Sequence, residues 1–233
     1  MPAKGPTTKE ILLDEAEQVL GGNALATIEP RDVEIPGPGG RSKASFKKPP
    51  PGSVVRWAVW RKGFDSNEDA EYAAKKFAVA AETWNAANIG VTFEWVQFAK
   101  DATFVLCHGG EQDGVPASAF SPNANDLNFV FVYTLAFSEG VKESMSSIFE
   151  HELGHVLGLR HEFAMGPNMD VYEGGAEQLG PRNELSVMNY GRRPPQIQQS
   201  DIDSTRKFYQ LKKDQNGKPR RVGMTPVKDY KPM

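Results

Sequence analysis

His151-Glu152-Leu153-Gly154-His155-Val156-Leu157-Gly158-Leu159-Arg160-His161-Glu162 is the stretch on which the reading of this chain turns. His151 and His155 stand four residues apart. On a helix that spacing puts both imidazoles on one face, one turn above the other. Two ring nitrogens can then approach one ion at about 2.0–2.1 Å. Glu152 lies beside that face, within reach of a water on the ion without being a ligand itself. Gly158 follows the second histidine by three residues. Without a Cβ it can adopt a left-handed conformation, end the helix and turn the chain sharply. The turn returns His161 toward the same ion as a third ligand. Three protein ligands leave one position open, the catalytic rather than the structural arrangement of zinc. The short pattern of two histidines and a glutamate also occurs on helices with no metal. The further offsets of Gly158 and His161 make it specific, and three of the four histidines in the chain fall within it.

Outward from this stretch, the helix that carries it is expected from near Ser144 to about Leu157. Before it, Val54–Trp60 alternates as a strand should. Asp65–Asn88 carries Ala70, Ala73, Ala74, Phe77, Ala78, Ala81 and Trp84 at helical spacing, with Asn88 and Gly90 as its stop. Val91–Val96, Thr103–Cys107 and Phe129–Thr134 read as strands, with Ala117–Phe120 as a short edge strand. Beyond Gly158 the chain is rich in Gly, Pro and Asn. One last helix is expected from Ser200 to about Leu211, with Ser200 as its cap and Asp203 in its first turn. The fold class is therefore α+β: a mixed twisted sheet with two long helices in an N-terminal lobe, then an irregular C-terminal lobe with one helix.

The 233 residues, 39% apolar and 24% charged, suit one sizeable domain or two lobes about a cleft. We expect an N-terminal arm over 1–52 and a catalytic domain over 53–233. The latter divides into an upper lobe (53–157), a lower lobe (158–211) and a basic tail (212–233). Within the arm, Thr7–Leu20 reads as a short capped helix. The stretch from Ile35 to Gly52 is rich in Pro and Gly and reads as a linker. The arm is a candidate pro-segment. A net charge of −3 argues against nucleic acid as partner, and no apolar run is long enough to span a bilayer. The single cysteine, Cys107, excludes an intrachain disulfide. The opening MPAKGPTTKE has no apolar region of the kind a signal peptide needs. Action inside the cell, or secretion after removal of a leader, both stay open, as does the oligomeric state.

Downstream, Ser186-Val187-Met188-Asn189-Tyr190 forms the second half of a signature. Together with the glycine, the third histidine and Glu162, it resembles the metzincin metallopeptidases, and within them the astacin-like branch. The resemblance spans Ser53 to about Leu211, with its specific motifs at 151–162 and 186–190. It implies a zincin-type two-lobed fold with one catalytic zinc on His151, His155 and His161. It further implies Met188 beneath the histidine rings, Tyr190 as a movable extra ligand that stabilises the reaction intermediate, and Glu162 as a structural anchor. Peptide would add to an edge strand such as Ala117–Phe120. Some astacin pro-segments place an aspartate on the zinc, and by that resemblance Asp32 or Glu34 would be the acid of the arm. Astacins usually carry disulfides and a secretory signal, and this chain departs from both.

The expected activity is zinc-dependent endopeptidase cleavage of a protein or peptide, with Glu152 as general base. Two alternatives remain: a catalytically silent zincin-like module that binds proteins, and a zinc hydrolase acting on a non-peptide amide or ester. Other signals are weaker. Cys107 and His108 are neighbours on a strand and so face opposite ways, which excludes a nucleophile pair. Asp113, Asn123, Asn125 and Asp126 match no EF-hand spacing. Arg192 and Arg193 are candidates for a substrate pocket that favours acidic side chains.

Overall fold

Ser66 opens the longest described helix of the computed structural model, which describes residues 46–123, 127–162, 179–189, 194–212, 215, 221–222 and 225–229. This helix, α1, is Asn67–Ala86. The Ser66 hydroxyl accepts from the Asp69 N–H at 3.0 Å, and Glu68 and Asp69 occupy the first turn, where the helix dipole favours acids. The helix ends as the sequence implies. Asn88 takes a left-handed φ of 49° and Gly90 one of 93°. Ala70, Ala73, Phe77, Ala80, Ala81 and Trp84 form its buried face. The alanines let a second helix, α2, come close. It is Met145–Val156 and carries the histidine motif. Phe77 packs on Phe149 of α2 with ring centroids 5.0 Å apart, and Trp84 Nε1 donates to the Glu150 carbonyl at 2.9 Å. Each such large apolar side chain contributes about 1.5–3 kcal/mol by burial.

The helices cover one face of a five-stranded sheet. Its strands are β2 (Val54–Val59), β3 (Thr92–Trp95), β4 (Phe104–His108), β5 (Ala117–Ser118) and β6 (Asn128–Val132). Their order across the sheet is β3-β2-β4-β6-β5. The β2–β3, β2–β4 and β4–β6 pairs are parallel, while β5 runs antiparallel to β6 and closes one side. Alternate residues Trp57, Phe104, Leu106, Val130 and Val132 meet the helices in one core. Cys107, on the opposite parity, is buried. Its register partner is Phe131, and Phe129 and Phe131 stack at 5.8 Å on that outer face.

Helix α3 is Gln199–Gln210, one residue earlier than expected, and its cap is Gln198 rather than Ser200. The Asp201 N–H donates to the Gln198 carbonyl at 3.0 Å, and the Asp201 carboxylate accepts from the Gln198 N–H at 2.8 Å. This reciprocal box puts Asp201, not Asp203, in the first turn. Ser200 is used elsewhere, accepting from Asn183 Nδ2 at 2.7 Å.

A second, smaller sheet, which the sequence does not announce, pairs the stretch read as a linker with the basic tail. Strand β1 (Phe46–Lys48) pairs in parallel with β8 (Thr225–Asp229), and β8 pairs antiparallel with β7 (Arg221–Val222). The Thr7–Leu20 helix lies outside the described residues, as do Asp32 and Glu34. Among the described residues no helix is long and apolar enough to cross a membrane.

Candidate metal centre

The C-terminal end of α2 builds the centre. The Gly158 N–H donates to the His155 carbonyl at 2.8 Å and the Leu159 N–H to the Gly154 carbonyl at 2.9 Å. This pair of bonds is the Schellman arrangement, which needs a left-handed residue at Gly158, and its φ is 92°. The chain then doubles back and brings His161 to the two helical histidines. The His161 Nε2 atom stands 3.2 Å from His151 Nε2 and 3.2 Å from His155 Nε2. The three ligand atoms all lie within 4.8 Å of one another. The His151 and His161 rings are stacked at 25°, and His155 is nearly perpendicular to both, at 85° and 87°.

Backbone carbonyls fix the tautomers of two of these rings. His151 Nδ1 faces the Val187 carbonyl at 2.6 Å, and His155 Nδ1 faces the Leu159 carbonyl at 3.0 Å. A carbonyl only accepts, so each Nδ1 carries the proton and each Nε2 presents a bare lone pair. Burial reinforces the neutral state. It pushes the His151 imidazole down to about 4, with the Val187 carbonyl opposing and His161 adding. It pushes His155 down to about 3, with His151 and His161 adding. Neutral imidazole is the form that binds metal.

Zinc fits this donor set. Three nitrogens bound at about 2.0–2.1 Å in tetrahedral geometry lie about 3.3–3.4 Å apart, close to the separations found here. Among the described residues no fourth His, Cys, Asp or Glu joins the cluster.

Glu152 is buried one residue beyond His151. Burial pushes its carboxyl up to about 8, and the Ala119 backbone N–H opposes by stabilising the charged form. A carboxyl in that range can take up and release a proton near neutral pH. Ala119 directly follows β5, so the edge of the sheet and this carboxyl are adjacent.

Met188 is buried in the turn made by Ser186–Asn189, where the Asn189 N–H donates to the Ser186 carbonyl at 3.1 Å. Its sulfur occupies the space a Cβ on Gly154 would need. The Glu162 N–H donates to the Met188 carbonyl at 3.1 Å and ties the returning chain to this turn. Burial raises the Glu162 carboxyl, opposed by the Asn183 N–H. Tyr190, Arg192, Arg193, Asn125 and Asp126 lie outside the described residues.

Several residues of the centre were not singled out from the sequence. A glycine inside a helix is itself a signal of close approach, and Gly154 is such a residue. Asp201 accepts from the Ser186 hydroxyl at 2.7 Å and from the Val187 N–H at 2.9 Å, and neither contact has a sequence signature. Cys107 and His108 point apart as expected. Burial pushes the Cys107 thiol up, while the His108 ring stacks on Phe64 at 5.8 Å.

No family model matches the chain, and no curated protein matches it. Among solved structures it is similar to high choriolytic enzyme 1, a hatching enzyme zinc-protease from Oryzias latipes (medaka fish). That likeness has 16% identity and a TM-score of 0.42, over 67% of this chain and 88% of that chain. At that level it carries no weight for activity, which has to be read from the site itself.

Proposed function

We propose that the chain is a zinc-dependent endopeptidase of the metzincin type, astacin-like in its motifs. The observation that carries this reading is the convergence of three imidazole nitrogens, two with tautomers set by backbone carbonyls. His151, His155 and His161 would hold the ion through Nε2. Zinc, when bound, supplies Lewis acidity toward the scissile carbonyl and lowers the pKa of a water to about 7. Glu152 is the general base. Its carboxylate takes a proton as the water oxygen bonds to the carbonyl carbon. It delivers that proton to the amine nitrogen as the C–N bond breaks. The Ala119 N–H favours the charged form of this carboxylate. Strand β5 stands last in the sheet order, which suits peptide binding by strand addition next to Ala119. The motif alone supports Tyr190 as an added ligand and oxyanion donor.

Glu152→Gln is the test. The variant should keep its zinc and lose about 10²–10⁴-fold in casein cleavage. Wild-type turnover by that variant contradicts the mechanism. Peptide binding without cleavage by the wild-type chain would favour a silent module instead, and cleavage confined to non-peptide amides or esters would favour the hydrolase alternative.

A further inference from the structure

The carbonyl that orients His151 belongs to a longer chain of hydrogen bonds. The Val187 carbonyl and the Met188 N–H are the two ends of one peptide unit. The carbonyl faces His151 Nδ1 at 2.6 Å. The Met188 N–H donates to the Ser186 hydroxyl oxygen at 3.0 Å, and that hydroxyl donates to Asp201 Oδ1 at 2.7 Å. The path from a carboxylate on α3 to an imidazole on α2 therefore runs donor to acceptor without a break. It is also buried: His151 is 3% exposed, Ser186 2%, Met188 3% and Asp201 6%. Hydrogen bonds in such low-dielectric surroundings polarise one another.

Capping does not account for the arrangement. The two backbone N–H groups that Asp201 satisfies, Val187 at 2.9 Å and Gln198 at 2.8 Å, both go to Oδ2. Oδ1 is given to Ser186 alone of these partners, and the Ser186 hydroxyl takes no part in the cap. From these contacts we infer that Ser186 and Asp201 are positioning residues for the metal centre. They form a buried relay that fixes the His151 ring and strengthens Nε2 as a donor through the Val187–Met188 peptide. This inference rests on the proposed zinc site and names what sets its affinity. Partners of this kind behind a metal-binding histidine typically change metal affinity by about 10–100-fold.

The test uses the full chain and four variants, Ser186→Ala, Ser186→Thr, Asp201→Asn and the double Ser186→Ala/Asp201→Asn. Zinc affinity is measured by competition with a chromophoric chelator. The His151 ring N–H resonance is followed by nitrogen-edited NMR in metal-free and zinc-loaded protein. Ser186→Ala should weaken zinc by about tenfold or more and move the ring N–H resonance upfield. Ser186→Thr, which keeps a hydroxyl, should restore both. In the Asp201→Asn background, removing the Ser186 hydroxyl should add little, because the two act in series. A loop-folding role alone would leave the ring N–H resonance unmoved. If wild-type protein holds zinc and Ser186→Ala holds it equally tightly, the relay is overturned and the zinc reading stands. If wild-type protein holds no zinc, the zinc reading fails, and the metal-free resonance still decides whether the relay reaches His151. Should Asp201→Asn not fold, the Ser186→Ala and Ser186→Thr pair decides alone.

Discussion

Gly154 lies between the two helical histidines, in a helix interior where glycine costs about 0.5–1 kcal/mol relative to alanine. Propensity alone therefore favours Gly154→Ala, whereas packing opposes it, because the Met188 sulfur fills the space of the missing Cβ. Overpacking of this kind costs about 1–3 kcal/mol, so packing should win. We expect Gly154→Ala to lower stability to urea by about 1 kcal/mol or more, and Gly154→Ala/Met188→Ala to lose less than the two single changes combined. A Gly154→Ala protein more stable than wild type would contradict the contact. Cys107 gives a second check at this scale. Its thiol is buried and pushed up by burial, so little thiolate is present and little of it is accessible. A disulfide-exchange reagent at pH 8 should label it only after unfolding, and rapid labelling of the native chain would refute its burial.

Helix α3 closes the C-terminal ends of α1 and α2. Tyr209 Oη donates to the Leu157 carbonyl at 3.0 Å, at the end of the histidine helix. The Arg206 guanidinium donates to the Ala87 carbonyl from Nε at 3.0 Å and again from Nη2, at the end of α1. Tyr209→Phe removes a donor from a buried carbonyl and should cost about 1–3 kcal/mol, measured by thermal unfolding. A change within error would show that the carbonyl finds another partner. These elements differ in how far the sequence revealed them. Helix α1 was legible because Ala70, Ala73, Phe77, Ala81 and Trp84 keep helical spacing and Asn88 and Gly90 stop it. Helix α2 and the Gly158 turn were legible because a shared ligand demands fixed offsets. The start of α3 was misread by a residue because glutamine is not a favoured cap, and only the reciprocal bond to Asp201 marks it. Strands β1 and β8 were missed for a different reason. Their pairing, with Phe46 opposite Val227, is made by backbone groups, and residues 46–48 and 225–229 show no apolar alternation to announce it. The relay behind His151 passes through a peptide unit, which has no sequence signature either.

At the scale of the molecule, the proposed ion would join α2 to the chain after Gly158, and so contribute to stability. A ligand that binds only the folded state adds about 4 kcal/mol at a free concentration 1,000 times its dissociation constant. Dialysis against a chelator should therefore lower the melting temperature and abolish cleavage, and one equivalent of zinc should restore both. An unchanged melting temperature after complete metal removal would argue against a folded-state site. One ion should sit among His151, His155 and His161, and X-ray absorption at the zinc edge of the purified, zinc-loaded chain decides whether it does. The expected result is one zinc per chain, with three imidazole nitrogens at about 2.0–2.1 Å and an oxygen ligand besides, and loss of that signal in His155→Ala. Less than stoichiometric zinc, or a spectrum that His155→Ala leaves unchanged, would contradict it.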